Sequence, residues 1–259
     1  MADTDRSGGP RDWDATTYDQ VAAPMTRWGS DVLERLPLRG DETVLDAGCG
    51  TGQITEQLVE RLPRGRVVAL DGSPAMVEAA RGRLARFGDR VDFVTADLAA
   101  PLPLPDASVD AILSTATFHW IADHDALFRN LARVVRPGGR LVAQCGGEGN
   151  IAQLRTALDA AGDAWEGPWT FASAEDTRRR LETAGFDRIE TWLSDEPTSF
   201  EPGPAFRDYL RTVALSAHVA RLAPEAQDDF LDSVIERLPE AAIHFVRLNL
   251  VAVRAPAAP

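Results

Sequence analysis

The stretch DAGCGTG, residues 46–52, decides the fold that this chain can adopt. It follows a short apolar run, residues 43–45, which predicts a buried strand. The apolar residues after it are spaced as one face of a helix: Ile54, Leu58, Val59 and Leu62. The sequence therefore predicts a strand, a glycine-rich turn and a helix in direct succession.

The glycines of this turn stand at alternate positions, Gly48, Gly50 and Gly52. Glycine adopts positive φ readily, and its missing Cβ lets a ligand lie against the main chain. The N-terminus of the following helix favours an anionic group at the same place, because its N–H groups and dipole end point there. A turn that holds no ligand is the alternative interpretation.

The spacing of these glycines separates two kinds of cofactor site. A dinucleotide-binding fingerprint, G-x-G-x-x-G, would place its third glycine at position 53, where this chain has Gln53. The observed spacing is G-x-G-x-G, with Asp46 two positions before the first glycine. This difference disfavours an oxidoreductase that uses a dinucleotide cofactor.

Two acidic residues end the next predicted strands. An apolar run at residues 67–70 leads into Asp71, and a third predicted strand, residues 91–98, carries Asp97 near its end. The two oxygens of a carboxylate can each accept from one hydroxyl of a vicinal diol, so Asp71 suits a ribose. For Asp97 a simpler role stays open, in which its side chain caps a turn.

Strands and helices alternate along the rest of the chain. Strands are predicted at residues 109–114, 140–145 and 188–194, and a last strand at 244–254. The pattern predicts an α/β fold with a Rossmann-like, doubly wound sheet of seven strands, mostly parallel, with the last strand antiparallel. Amphipathic helices within residues 204–238 predict a helical cap, inserted as a lid between the last two strands.

The length of 259 residues and the hydrophobic content of 44% allow one full core. We therefore interpret residues 13–254 as a single domain, with an N-terminal helical segment at 13–36. Pro24 makes the start of that helix uncertain. Residues 1–12 are polar and are predicted to be disordered, and residues 255–259 to be a short tail.

Composition narrows the class of partner. The net charge is −13, from 27 basic and 40 acidic side chains, so we expect neither nucleic acid nor an anionic membrane as partner. A small-molecule acceptor fits this charge. No lysine occurs, which excludes Schiff-base chemistry on the chain. The two cysteines have no metal-binding spacing and no secretory leader is present, so the sequence predicts a reducing, cytoplasmic location.

Two strings, VLDAGCGTG at residues 44–52 and LARVVRPGGRLV at 131–142, closely resemble the class I S-adenosylmethionine (SAM) methyltransferases. Over residues 13–254 the element order is similar to that of the trans-aconitate methyltransferases and, less closely, the malonyl carrier-protein methyltransferases. Those enzymes typically carry Gln-Trp after the fourth strand, whereas this chain has His119-Trp120. The identity of the acceptor therefore stays open.

The resemblance implies that SAM is the cofactor, with Asp71 at the ribose, Asp97 at the adenine amine and Met76 near the adenine. Tyr18 and Arg27 are expected at the methionine end, although the aromatic residues of this segment could instead only pack it down. The residues expected to contact SAM are Asp46, Ala47, Gly48, Cys49, Gly50, Gly52, Gln53, Asp71, Gly72, Ser73, Met76, Ala96, Asp97, Leu98, Ser114, Tyr18 and Arg27.

His119 is the candidate catalytic residue, and Trp120, Arg207, Arg211 and Arg247 are the candidate acceptor-binding residues. A carboxylate acceptor is ionised at neutral pH and needs only positioning, whereas a phenol, enol or amine usually needs a base. His119 is therefore either a base or a positioning group. The sequence predicts methyl transfer to oxygen, of a carboxylate or hydroxyl, without a metal. The alternatives are C- or N-methylation of a secondary metabolite and a non-catalytic SAM-binding module.

Overall fold

The computed structural model of this protein describes residues 23–256. Its strands form one seven-stranded sheet in the order β3-β2-β1-β4-β5-β7-β6. The strands are β1 Thr43–Ala47, β2 Arg66–Asp71, β3 Val91–Thr95, β4 Val109–Thr115, β5 Val135–Gly146, β6 Phe186–Ser199 and β7 Ala242–Arg254. Neighbours among β1 to β5 pair in parallel, and β7 is antiparallel to both β5 and β6. The predicted seven-stranded, mostly parallel sheet is confirmed.

Helices connect the strands on both faces of this sheet. The α-helices are α1 Ala23–Glu34, α2 Gln53–Glu60, α3 Pro74–Leu84, α4 His124–Val134, α5 Ala152–Ala160, α6 Ala174–Thr183, α7 Pro204–Tyr209, α8 Ser216–Val219 and α9 Gln227–Ile235. Short 3₁₀ turns lie at Ala85–Arg90, Phe118–Trp120 and Pro224–Ala226, and a π-helical turn at Leu210–Ala214. No helix within residues 23–256 is both long and apolar enough to cross a membrane.

Local signals fix several helix starts. The Ser73 hydroxyl accepts from the Met76 N–H, and Pro74 occupies the first turn of α3, where no N–H is needed. Ser173 caps α6 in the same way, by accepting from the Asp176 N–H. Such caps satisfy donors that would otherwise have no partner at the helix end.

The boundary between α4 and β5 differs from the predicted helix stop at residues 137–139. β5 begins at Val135, which pairs with Val109 of β4, and the register resumes at Arg140 opposite Ala111. The residues between bulge out of the ladder. The helix ends earlier because Val135 already belongs to the sheet.

Two apolar clusters fill the two faces of the sheet, and a third lies under the cap. The third cluster joins α1, α5, the lid segment 204–238 and the start of β7. Helix α5 is absent from the sequence prediction, although its buried face of Leu154, Ala157 and Leu158 has helical spacing. The lid helices are shorter and more broken than predicted.

Candidate cofactor and acceptor site

The glycine turn joins β1 to α2 at the carboxyl edge of the sheet. The N–H groups of Gly48 and Cys49 both donate to the Leu70 carbonyl of β2, at 2.7 and 2.9 Å. Gly48, Gly50 and Gly52 have φ of 91°, 53° and 85°. Among residues 23–256, a Cβ on Gly50 would meet no atom within 4 Å. This described part of the chain leaves the main chain at Gly50 open to a ligand.

Asp71, at the end of β2, is held against this turn. Its Oδ2 accepts from the Gly50 N–H and its Oδ1 from the Ser73 N–H, both at 2.9 Å. Burial raises the pKa of the Asp71 carboxyl, and these backbone donors oppose the rise. Each oxygen keeps a further lone pair, so a fixed carboxylate of this kind can accept from the hydroxyls of a ribose.

Asp46 lies beneath the glycine turn and is almost fully buried. Its Oδ2 accepts from the Thr55 hydroxyl at 2.7 Å, while Oδ1 is buried without a partner within the described part of the chain. Burial, with a smaller contribution from Asp71, raises the pKa of Asp46 to about 7. A cationic or N–H-bearing ligand beside it would relieve this cost. The ammonium and sulfonium of SAM have that character.

Other predicted cofactor residues lie on the same edge. Asp97 Oδ1 accepts from the Ala99 N–H at 2.8 Å, so the turn-capping role is realised and uses one carboxylate oxygen. The Ser114 hydroxyl donates to the Ala47 carbonyl at 2.6 Å and ties β4 to β1. Met76 is buried at the start of α3. Their contacts with the cofactor stay predictions.

His119 follows β4 on a 3₁₀ turn and is 8% exposed. Its Nδ1 accepts from the Gly146 N–H at 3.2 Å. Burial, then Arg247 and His124, hold the pKa of His119 well below its usual value. The ring is therefore neutral at physiological pH and carries its proton on Nε2, because Nδ1 is used as an acceptor. His119 presents a hydrogen-bond donor at Nε2.

Arg247 of β7 is only 3% exposed. Its guanidinium carbon lies 4.7 Å from the ring centroid of Trp28 on α1, a cation–π contact, and its Nε donates to Gln144 Oε1 at 3.4 Å. Trp28 Nε1 is itself buried, with no acceptor within residues 23–256. Trp28 contacts Arg247, and Arg247 lies close enough to His119 to lower its pKa, so the three donor residues are neighbours. We call these three residues the donor wall.

The remaining predicted residues are placed differently. Arg207 and Arg211 lie on the lid and are part-exposed. Both form ion pairs with Asp228 of α9, which belongs to the same lid. Arg27 is 65% exposed and pairs with Glu196 at 3.7 Å. The contacts of these three arginines with acceptor or cofactor stay predictions. Tyr18 lies outside the described residues.

An aromatic row runs from the donor wall to the lid. Phe171 stacks on His119 with centroids 6.0 Å apart, and Trp169 stacks on Phe171 at 5.8 Å. Trp169 also stacks on His218 of α8, whose Nδ1 lies 2.7 Å from Asp163 Oδ2. The lid is thus joined to the wall through packed rings.

Sequence reasoning did not assign Trp28, Gln144 or Asn249 to the site. Gln144 and Asn249 are buried polar residues that each interrupt an apolar run within their strand. Such an interruption is a signal that the sequence offers. Trp28 lies within the helical segment predicted at residues 13–36, and its local sequence gives no sign of a role in the site.

The sheet order, the glycine turn and Asp71 at the end of β2 have the arrangement that the sequence predicts for a methyltransferase. Residues 45–143 match the family described as a methyltransferase domain. The chain belongs to the class I SAM-dependent methyltransferases, and SAM is its cofactor.

Relatives named trans-aconitate 2-methyltransferase match most of the chain. The protein of Methylobacterium nodulans is 32% identical over 263 residues, which cover 94% of this chain and 98% of that protein. The protein of Methylobacterium radiotolerans is 31% identical over 235 residues, covering 86% and 87%. Among solved structures, Haemonchus contortus phosphoethanolamine N-methyltransferase 2 with SAM matches with a TM-score of 0.63 at 19% identity, covering 93% of this chain and 57% of that one. The last similarity concerns the fold alone.

Proposed function

We propose that this methyltransferase transfers its methyl group to a carboxylate oxygen of a small anionic acceptor. The observation that carries the proposal is the donor wall of His119, Trp28 and Arg247. A guanidinium binds a carboxylate through charge-assisted hydrogen bonds, which are stronger than neutral ones. An acceptor carboxylate is an anion of the kind that Arg247 can bind.

The protonation state of His119 supports this acceptor class. When bound, SAM would supply a methyl group on a sulfonium: an ionised carboxylate oxygen would bond to the methyl carbon as the carbon–sulfur bond breaks, and S-adenosylhomocysteine would leave. A carboxylate has a pKa near 4 and arrives ionised, so no base is required. With Nδ1 bonded to Gly146, the neutral His119 ring offers Nε2–H and no lone pair. His119 then positions the acceptor, and the wall gives no advantage to an amine or phenol.

The lid closes the acceptor side in this proposal. Phe206, Tyr209 and Leu210 of the lid share a buried cluster with Trp28, whose ring contacts Arg247. A lid packed against the donor wall excludes water from the anion. The names of the relatives make trans-aconitate the first acceptor to test.

The test is turnover with SAM and a panel of acceptors: trans-aconitate, other small carboxylates, and amines and phenols of similar size. We expect methyl esters of a carboxylate, detected by mass spectrometry and removed by mild alkali. Arg247→Met should raise the KM for that acceptor tenfold or more, since charged hydrogen bonds contribute about 1.5–3 kcal/mol. Methylation of amines or phenols without any carboxylate product would overturn the proposal.

A further inference from the structure

A buried polar network lies directly behind Arg247. Its centre is Asn249, which is fully buried on β7 and is the cross-strand partner of Gln144 on β5. Asn249 Oδ1 accepts from Gln144 Nε2 at 2.9 Å and also from an Arg35 guanidinium nitrogen. Its Nδ2 donates to Ser194 Oγ at 3.0 Å and to the Arg247 carbonyl at 3.1 Å. The amide of Asn249 is therefore satisfied on both its oxygen and its nitrogen.

The direction of each hydrogen bond in this network is fixed by Arg35. A guanidinium can only donate, so the oxygen of Asn249 must face Arg35. Gln144 then has to turn its own NH₂ toward that oxygen. This leaves Gln144 Oε1 facing Arg247, where it accepts from Nε at 3.4 Å. The orientation set at Arg35 is passed through two amides to Arg247.

We propose that Gln144 and Asn249 are positioning residues that aim the Arg247 guanidinium at the acceptor anion. This inference rests on the proposed function, in which Arg247 binds the acceptor. Gln144 holds Nε from one side while Trp28 supports the guanidinium plane. The terminal nitrogens are thereby directed away from Gln144. Rotational freedom that a long side chain would otherwise lose on binding is removed beforehand.

Gln144 and Asn249, which we call the relay, are both uncharged, and this matters for binding an anion as much as their geometry does. A glutamate at position 144 would form a buried ion pair with Arg247 and would compete with the acceptor carboxylate. Glutamine fixes the same nitrogen and adds no negative charge beside Arg247. Asn249 also fixes the main chain of Arg247, because its Nδ2 donates to the Arg247 carbonyl.

The experiment compares Gln144→Met, Gln144→Glu and Asn249→Leu, each close in size to the native residue. Gln153→Leu is the matched control, since the amide of Gln153 bonds the Ala242 carbonyl of β7 at 3.1 Å and no part of the relay. For each variant we would measure KM and kcat with trans-aconitate, the affinity for S-adenosylhomocysteine by calorimetry, and a crystal structure with S-adenosylhomocysteine bound.

We expect Gln144→Met and Asn249→Leu to raise KM about tenfold, with kcat changed less than threefold and S-adenosylhomocysteine affinity unchanged. Gln144→Glu should raise KM further, because its carboxylate competes with the acceptor carboxylate for Arg247. In the crystal structure of Gln144→Met the guanidinium should leave Trp28. An unchanged KM with the guanidinium still on Trp28 would overturn the relay, and so would parallel losses of Tm, cofactor affinity and kcat.

The failure of the proposed function would look different. If the wild-type enzyme does not methylate trans-aconitate or any other carboxylate, or if Arg247→Met leaves the acceptor KM unchanged, then the carboxylate proposal fails. The crystal structures of Gln144→Met and Asn249→Leu still decide whether the relay holds Arg247 in place. If Gln144→Met or Asn249→Leu does not fold, the other variant still removes the hydrogen bond between these two residues.

Discussion

Substitution of His119 separates a positioning group from a base. The native ring combines one acceptor, Nδ1 toward the Gly146 N–H, with one donor, Nε2–H. Glutamine offers the same pair, an amide oxygen and an amide N–H. Phenylalanine keeps the ring volume and removes both. At this one buried position, His119→Gln can therefore keep both hydrogen bonds, whereas His119→Phe removes both.

The magnitudes follow from the bonds removed. His119→Phe loses a hydrogen bond to an ionised carboxylate, about 1.5–3 kcal/mol, which corresponds to a KM raised roughly 10- to 150-fold. It also leaves the Gly146 N–H without its acceptor, which should lower the free energy of unfolding by about 1–3 kcal/mol. His119→Gln should change KM less than about threefold and leave kcat nearly intact, because both bonds can re-form.

The assay is initial-rate kinetics with saturating SAM and varied acceptor between pH 5.5 and 8.5, with calorimetry of S-adenosylhomocysteine binding as a check on the cofactor site. Burial holds the pKa of His119 well below its usual value, so we expect its ring to be neutral at neutral pH. We expect no dependence of kcat/KM on His119 ionisation above pH 6 in either the wild type or His119→Gln. A wild-type limb rising through pH 6–7, absent in a His119→Gln enzyme whose kcat falls about a hundredfold, would show that His119 is a base.

Three further predictions concern the cofactor half and the lid. Gly50→Ala should weaken S-adenosylhomocysteine binding at least tenfold, because the added Cβ would stand where we expect the ligand. It should lower Tm by only a few degrees, since that Cβ meets no atom of the described residues and φ of 53° costs alanine about 1–2 kcal/mol. Gly48→Ala, whose Cβ would lie 2.0 Å from Thr117 Oγ1, should instead destabilise the fold in thermal melts. Asp46→Asn should stabilise the ligand-free protein by about 1–3 kcal/mol more at pH 8 than at pH 5, measured by urea titration. The pKa of Asp46 is about 7 in the folded protein and 3.8 in the unfolded chain, so the wild type loses stability as the pH rises from 3.8 to 7. Equal gains at both pH values would contradict this prediction. Residues 204–238 should exchange amide hydrogens more slowly with S-adenosylhomocysteine plus trans-aconitate than with S-adenosylhomocysteine alone, and identical exchange would count against the lid.

The cofactor half could be predicted from the sequence because its signals are local. Alternate glycines, a carboxylate at the end of β2 and the Ser73-Pro74 cap each depend on neighbours in the chain. These three features lie within about thirty residues of one another. They come together in space as soon as the two parallel strands β1 and β2 pair side by side. That pairing is the commonest arrangement for such a pattern.

The acceptor half could be predicted only in part, because its residues come from separate elements. Trp28, His119, Gln144 and Arg247 lie on α1, the turn after β4, β5 and β7. Their contacts depend on β7 pairing with β5 in one register, in which Gly146 faces Arg247. A shift of one residue would turn Arg247 to the other face of the sheet. Periodicity alone does not specify that register.

The position of β7 between β5 and β6 also sets an order of assembly during synthesis. β1 to β5 pair with one another and are complete before residue 147 has been translated. Within the described residues β6 has only β7 as a neighbour, so it cannot join the sheet before residues 242–254 are available to pair with it. Arg247 lies on that same strand. The nascent chain therefore has all the strands of its cofactor half before the acceptor half can form, and the strand that completes the sheet also carries the charge that we assign to the acceptor.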